Sequence, residues 1–187
     1  MRLPPGWLEV TFEEEGMEIR AIRVFSPPDN HSVRLQLLNR GYPLAEEDTQ
    51  ILRKTLSQSP KAIFERKDGT KATPTEVELV SSLAEVLGNL ADNQVLNSET
   101  DDLGPSFMLD RIDVLDWKGR KVLAVRGWFR DPEQDVRVNN YCGLFIDATS
   151  GEPEAQIEEI FLEAPTEDLL IKYMPLFKAS LDSLVWR

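Results

Sequence analysis

Four apolar runs in the second half of the chain decide the fold: FMLDRIDVLDWKG (107–119), RKVLAVRGWF (120–129), DVRVNNYCGLFIDA (135–148) and EAQIEEIFLEA (154–164). Each run is rich in the β-branched and aromatic residues that favour strands. Turn signals separate the runs, at Lys118-Gly119, Asp131-Pro132 and Ser150-Gly151. Because connections this short join antiparallel neighbours, the runs predict four consecutive strands of an antiparallel meander.

The first forty residues predict three further strands. Two apolar segments of WLEVTFEEEGMEIRAIRVFSPP (7–28) flank the turn signal at 13–16. A third, SVRLQLL (32–38), follows the break at 27–30. The spacing predicts that these segments form a second antiparallel meander.

Three segments have helical periodicity: PLAEEDTQILRKTLSQ (43–58), TPTEVELVSSLAEVLGNL (73–90) and PTEDLLIKYMPLFKASLDSLVW (165–186). The second begins with a Thr73–Glu76 capping box. It is apolar on two sides, which predicts packing between the sheet and another element, or an oligomer contact. Thr166 is the expected cap of the third helix, and Pro175 is expected to kink or split it.

The order of elements is strands, two helices, strands and a final helix. Segregated runs of this kind predict an α+β fold, with an antiparallel sheet flanked by helices and the C-terminal helix packed on the sheet. The length of 187 residues favours a single domain over 1–187. A polar, turn-rich segment near 92–105 marks a possible sub-boundary.

Composition excludes several classes of protein. There are 33 acidic and 21 basic residues, for a net charge of −12, which argues against binding to nucleic acid. One cysteine excludes an intrachain disulfide framework. No apolar run approaches membrane-spanning length, and the first residues do not have the pattern of a secretory signal. We therefore expect a cytoplasmic protein that is not inserted into a membrane.

Catalytic motifs are missing from the sequence. It contains no G-x-S-x-G, H-E-x-x-H, G-x-G-x-x-G or phosphate-binding lysine loop. Cys142 lies in a strand-like run and is expected to be a small buried hydrophobe, because a thiolate would need a partner such as His31. No catalytic residue, metal ligand or cofactor is predicted.

Three aspartates, Asp110, Asp113 and Asp116, recur at intervals of three. The segment has strand character, so Asp113 is expected to point away from the other two. A solvated strand edge is favoured over a divalent-metal site. Glu158-Glu159 is likewise expected to be surface charge.

Charge is distributed unevenly along the chain. Residues 1–106 carry a net −7, residues 107–146 a net +1 and residues 147–187 a net −6. The central strands interleave arginines with aromatic residues, and both types are enriched at protein interfaces. The residues predicted to bind a partner are Arg126, Trp128, Arg130 and Arg137. The polar face of an antiparallel sheet remains the simpler interpretation of the same pattern.

Two functions follow from these observations as hypotheses. The first is a non-catalytic, intracellular protein-binding or assembly-accessory protein that acts through the central strands. The alternative is a small-molecule-binding protein or a hydrolytic enzyme with a carboxylate or metal site. A homo-oligomer is a third option, because it would explain the two-sided helix.

Residues 104–187 resemble the PsbP-like fold family, which includes extrinsic photosystem subunits and the Ran-binding Mog proteins. The similarity is in the meander RKVLAVRGWF (120–129), NNYCGLFIDA (139–148) and AQIEEIFLEA (155–164), followed by a terminal helix ending in FKASLDSLVW (177–186). The resemblance implies an antiparallel sheet flanked by helices and a link to photosynthetic complexes. It carries no functional residue over to this chain.

Overall fold

The computed structural model describes residues 1–10, 22–66, 71–91, 106–131, 133–134, 136–149 and 152–184. The strands in these ranges are β1 (Leu8–Val10), β2 (Ile22–Ser26), β3 (Arg34–Asn39), β4 (Lys61–Glu65), β5 (Ser106–Trp117), β6 (Arg120–Asp131), β7 (Val136–Asp147) and β8 (Ile157–Ala164). The helices are α1 (Glu46–Leu56), α2 (Pro74–Ser82), α3 (Ala84–Leu87), a 3-10 turn (Gly88–Leu90) and α4 (Glu167–Asp182).

The eight strands form one antiparallel sheet in the order β1-β2-β3-β8-β7-β6-β5-β4. The strands β5 to β8 pair consecutively, as the turn signals predict. The two meanders join where β3 pairs with β8, with Leu37 opposite Ile160. The predicted α+β class, with the C-terminal helix on the sheet, is confirmed.

Helices cover both faces of the sheet. On one face, here called the α1 face, α1, α2 and α3 pack against inward residues such as Ile112 and Leu123. On the other, the α4 face, α4 packs against residues such as Val122 and Leu162. Because side chains alternate along a strand, the neighbours Val122 and Leu123 enter different cores. Burial on both faces explains why β7 and β8 contain uninterrupted apolar runs.

The helix predicted over 73–90 lies and begins where expected, but it is not continuous. Thr73 Oγ1 accepts a hydrogen bond from the Glu76 backbone, and the Glu76 carboxylate accepts one from the Thr73 backbone at 2.7 Å. The predicted capping box is therefore confirmed. At Leu83 the backbone leaves helical geometry (φ −100°, ψ 6°), so two helices form. Their apolar residues pack against the sheet and α1, which accounts for the two-sided pattern.

Of the two outcomes expected at Pro175, a kink or a split, the split does not occur, and the kink stays a prediction. α4 is a single helix, and Thr166 caps it by accepting a hydrogen bond from the Leu169 N–H. Pro175 is exposed, and so is Ile171, whose carbonyl loses its helical partner to the proline. A carbonyl on the solvent side can bind water instead, so the helix continues through the proline.

Two strand glycines allow aromatic rings to lie close to the sheet. A Cβ at Gly143 would stand 2.7 Å from Cζ of Tyr141 and 2.8 Å from Cβ of Phe161. A Cβ at Gly127 would overlap the ring of Phe107. Both glycines lie on the α1 face, and the space above Gly143 is what lets the Tyr141 ring extend toward Glu159.

Several predictions fall outside the described residues. These are the turn at 13–16, the turn at Ser150-Gly151 and the possible sub-boundary near 92–105. The single-domain organisation stays a prediction.

Candidate functional site

The predicted partner-binding residues of β6 lie on the α4 face. β6 itself has no extra residue between Arg126 and Arg130, because the two bulges beside it lie in its neighbours β5 and β7. Side chains two apart therefore point the same way, which places Arg126, Trp128 and Arg130 on one face of the sheet.

Arg137 joins these residues because β7 contains a β-bulge. Phe129 is opposite Asn139, but the next residue, Arg130, is opposite Arg137, so Val138 is an extra residue in β7. In a regular strand Arg137 would share the face of Asn139. The bulge turns it to the other face, where its guanidinium carbon lies 5.1 Å from the centroid of the Trp128 ring. A cation over an indole face is a favourable arrangement.

A second bulge, in β5, directs Asp110 to the same place. Leu109 is opposite Gly127 and Arg111 is opposite Arg126, which leaves Asp110 as the extra residue. The Trp128 side chain donates a hydrogen bond to the Asp110 carboxylate. Burial raises the pKa of Asp110, although the positive charges of Arg137, Arg66 and Arg126 act in the opposite direction.

This bulge also corrects the prediction for the three aspartates. Asp110 lies on the α4 face, and so does Asp113, whose carboxylate accepts hydrogen bonds from Arg111 at 2.7 and 2.8 Å. Asp116 lies on the other side, opposite Lys121. Asp113 is therefore not the one that points away. The three carboxylates do not converge.

The first turn of α4 completes the cluster. Glu167 Oε2 lies 3.7 Å from Arg137 Nη1, and both side chains remain partly exposed. We call the set Asp110, Arg126, Trp128, Arg130, Arg137 and Glu167 the Trp128 surface. Beside it, the bulge residue Val138 is 36% exposed, whereas Val136 is opposite Asp131 and points to the α1 face. The surface therefore combines arginines, a tryptophan and an exposed apolar side chain.

Cys142 lies at the inner edge of this surface and packs with the α4-face core. It is half-buried, and burial raises the pKa of its thiol, while the charges of Arg126 and Lys178 lower it less. His31 is an exposed residue of the turn between β2 and β3. A raised pKa disfavours the thiolate, as expected for a residue that fills space.

A second polar cluster occupies the α1 face. Tyr141 donates a 2.6 Å hydrogen bond from its hydroxyl to Glu159, and Gln36 donates one of 2.8 Å to Glu163. Glu159 is buried, so the expectation that Glu158-Glu159 is surface charge is wrong for Glu159. Burial raises the pKa of Glu163 to about 7, helped by the negative charge of Glu159 and opposed by Arg34 and Gln36.

Sequence reasoning missed several members of these two clusters. The position of α4 brings Glu167 to this surface, and a bulge in β5 brings Asp110 to it. The alternation of polar and apolar residues along the sequence predicts neither feature. The Tyr141–Glu159 pair has a weak signal, since a glycine two residues after a tyrosine in a strand leaves room for the ring.

Within the described ranges, no group of three or more His, Cys, Asp and Glu side chains is arranged to hold a metal ion. None of the helices in those ranges is long and apolar enough to cross a membrane. The chain matches no family model, no curated protein and no solved structure. The likeness to the PsbP-like family thus stays a resemblance, and any functional argument depends on the geometry of the two clusters.

Proposed function

We propose that this protein is a non-catalytic binding or assembly-accessory protein that docks a protein partner on the Trp128 surface. The observation that supports it most is the stacking of Arg137 on Trp128, which needs a bulge in β7. Bulges recur where a strand must redirect a side chain for function. Here two of them, in β5 and β7, redirect side chains of opposite charge to one tryptophan on β6.

The chemistry of the surface supports docking of a protein. Tryptophan and arginine are the residue types that most often dominate binding energy at interfaces. Trp128 is already held in position by Asp110, and Arg137 by its stacking on Trp128. Side chains that are ordered before binding lose less conformational entropy when the partner arrives. The proposal includes a cytoplasmic location, which is supported by the single cysteine.

The proposal is tested by comparing two charge-reversal variants as affinity baits in extract of the native cell. Arg137→Glu removes the cation that stacks on Trp128. Lys61→Glu changes charge by the same amount at an exposed residue of the edge strand β4. We expect proteins that the wild-type chain and Lys61→Glu both retain to be lost from Arg137→Glu. Equal retention by all three baits, with equal melting temperatures, contradicts the proposal.

A small-molecule-binding or hydrolytic role is the second candidate. It is favoured by one observation, the half-buried carboxyl of Glu163, whose pKa near 7 suits general acid–base chemistry. A ligand at this carboxyl would raise the melting temperature of the wild-type chain but not of Glu163→Gln. This second role is contradicted if no compound in a panel of small metabolites raises the melting temperature of the wild-type chain more than that of Glu163→Gln.

A further inference from the structure

We use the name α4–β6 groove for the strip of the α4 face between the first half of α4 and the second half of β6. α4 shares a core with β7, β8 and Val122 near the start of β6, whereas Arg126, farther along β6, is exposed. The contact of Glu167 with Arg137 of β7 shows which side of α4 faces the Trp128 surface. Residues four apart on a helix share a side, so Ile171 also borders the groove. Further along the helix, Lys178 is near enough for its positive charge to lower the pKa of Cys142, as the charge of Arg126 does.

The charge of the groove is opposite to that of the whole chain. The protein carries a net −12, yet three cations border the groove, Arg126, Arg137 and Lys178. Two carboxylates, of Asp110 and Glu167, offset them in part. The positive groove attracts a negatively charged segment of a partner, whereas the acidic remainder of this protein repels the other negatively charged parts of that partner. The arrangement therefore selects partners whose negative charge is local.

The groove also presents apolar surface. Ile171 is 59% exposed on the helix side, and the ring of Trp128 is half-buried on the strand side. Side chains of an extended segment point alternately to its two sides. A segment that alternates acidic and apolar residues can therefore direct carboxylates toward the arginines and apolar groups toward Ile171.

The groove already contains an internal competitor for such a segment. The ion pair between Glu167 and Arg137 is long, at 3.7 Å, and the Glu167 side chain is more than half exposed. An exposed pair of this kind is weak, so a carboxylate from outside can replace Glu167 at the guanidinium.

We propose that the α4–β6 groove binds an extended, acidic segment of the partner protein, with apolar residues between its carboxylates, and that Glu167 competes with that segment for Arg137. This inference rests on the proposed function, because it specifies what docks on the Trp128 surface. The proposal predicts whether substitution of Glu167 strengthens or weakens binding. Neutralising Glu167 strengthens binding of an acidic segment, whereas it would weaken binding of a basic one.

The test uses a fluorescein-labelled peptide of eight residues that alternates glutamate with leucine, titrated with the full chain at low salt and followed by anisotropy. We expect Glu167→Gln to tighten binding by about threefold and Arg137→Glu to weaken it by about tenfold. Asp168→Asn is the matched control, since it removes one charge from the same exposed helical turn, and it is expected to change binding by less than Glu167→Gln. Binding should weaken as salt is raised.

Three results overturn the inference: no binding of the glutamate–leucine peptide, tighter binding of the same peptide with lysine in place of glutamate, or equal effects of Glu167→Gln and Asp168→Asn. The proposed function has a different contradicting result: it fails if wild type and Arg137→Glu retain the same native-cell proteins equally. A partner lost from Arg137→Glu together with no peptide binding thus rejects the acidic segment and keeps the docking surface.

Discussion

The guanidinium of Arg137 lies over the indole of Trp128, with 5.1 Å from its carbon to the ring centroid. The two residues belong to neighbouring strands, and the odd-numbered neighbours of Arg137 in β7 point to the opposite face. One extra residue, Val138, is what brings the pair together. A strand that only had to complete the sheet would not need that irregularity, and this is why the pair is central to the proposed docking surface.

A clamp formed by Arg53 is predicted to stabilise the fold. Its guanidinium donates hydrogen bonds from α1 to the Asp147 carboxylate and to the carbonyls of Thr149 and Glu152, which connect β7 to β8. Arg53→Ala is expected to lower the free energy of unfolding by about 1–3 kcal/mol, because charge-assisted hydrogen bonds are lost. Urea unfolding measures the change. Lys54→Ala, an exposed change on the same helix, is the control, and equal effects of the two substitutions would contradict the clamp.

Glu163 is predicted to make stability depend on pH. Its pKa of about 7 in the folded chain is above its ordinary value of 4.5. Between pH 4.5 and 7 the folded chain therefore keeps a proton on Glu163 that the unfolded chain has released. The stabilisation that comes from this proton is complete below about pH 4.5 and is lost as the pH rises to about 7. Relative to wild type, Glu163→Gln should be more stable at pH 8 than at pH 5 by about 1–3 kcal/mol.

The measurement for Glu163 is urea unfolding of wild type and variant at both pH values. Glu158→Gln, also in β8, serves as the matched control, since it removes a carboxylate that lies on the other face of the strand. A difference between wild type and Glu163→Gln that does not change with pH would show that the buried carboxyl does not titrate as described.

Gly143 is predicted to be required for the Tyr141–Glu159 hydrogen bond. A Cβ at this position would overlap the Tyr141 hydroxyl, so Gly143→Ala must displace the ring from the 2.6 Å bond to Glu159. We expect a loss of about 2–4 kcal/mol in the free energy of unfolding. Tyr141→Phe removes the hydroxyl, so Gly143→Ala should cost less in that background than in wild type. Strictly additive effects would argue against the overlap.

Local signals in the sequence were enough to predict the α+β class. Lys118-Gly119 fixes the turn between β5 and β6, and Thr73 with Glu76 fixes the start of α2. The pairing of β3 with β8 could not be predicted, because it joins residues more than a hundred positions apart with no turn between them.

The candidate site could be predicted only in part. Arg126, Trp128 and Arg130 share a face through simple alternation, so the sequence was sufficient for them. Arg137 and Asp110 depend on bulges, which are set by how three strands adjust to one another and not by local pattern. Glu159 was expected at the surface because two adjacent glutamates are typical of exposed chain, but one of them enters a face that also holds Tyr141.

Photo-crosslinking in the native cell gives the sharpest test of the docking surface. A photoreactive phenylalanine analogue replaces Val138, the exposed bulge residue next to Arg137, or Tyr42, which is 55% exposed and precedes α1. Both substitutions leave the side chains of the Trp128 surface in place. We expect irradiation to join a partner protein to the chain from position 138 and not from position 42, and the product to disappear when Arg137→Glu is added. No product from position 138, or the same product from both positions, would contradict the assignment of the docking surface.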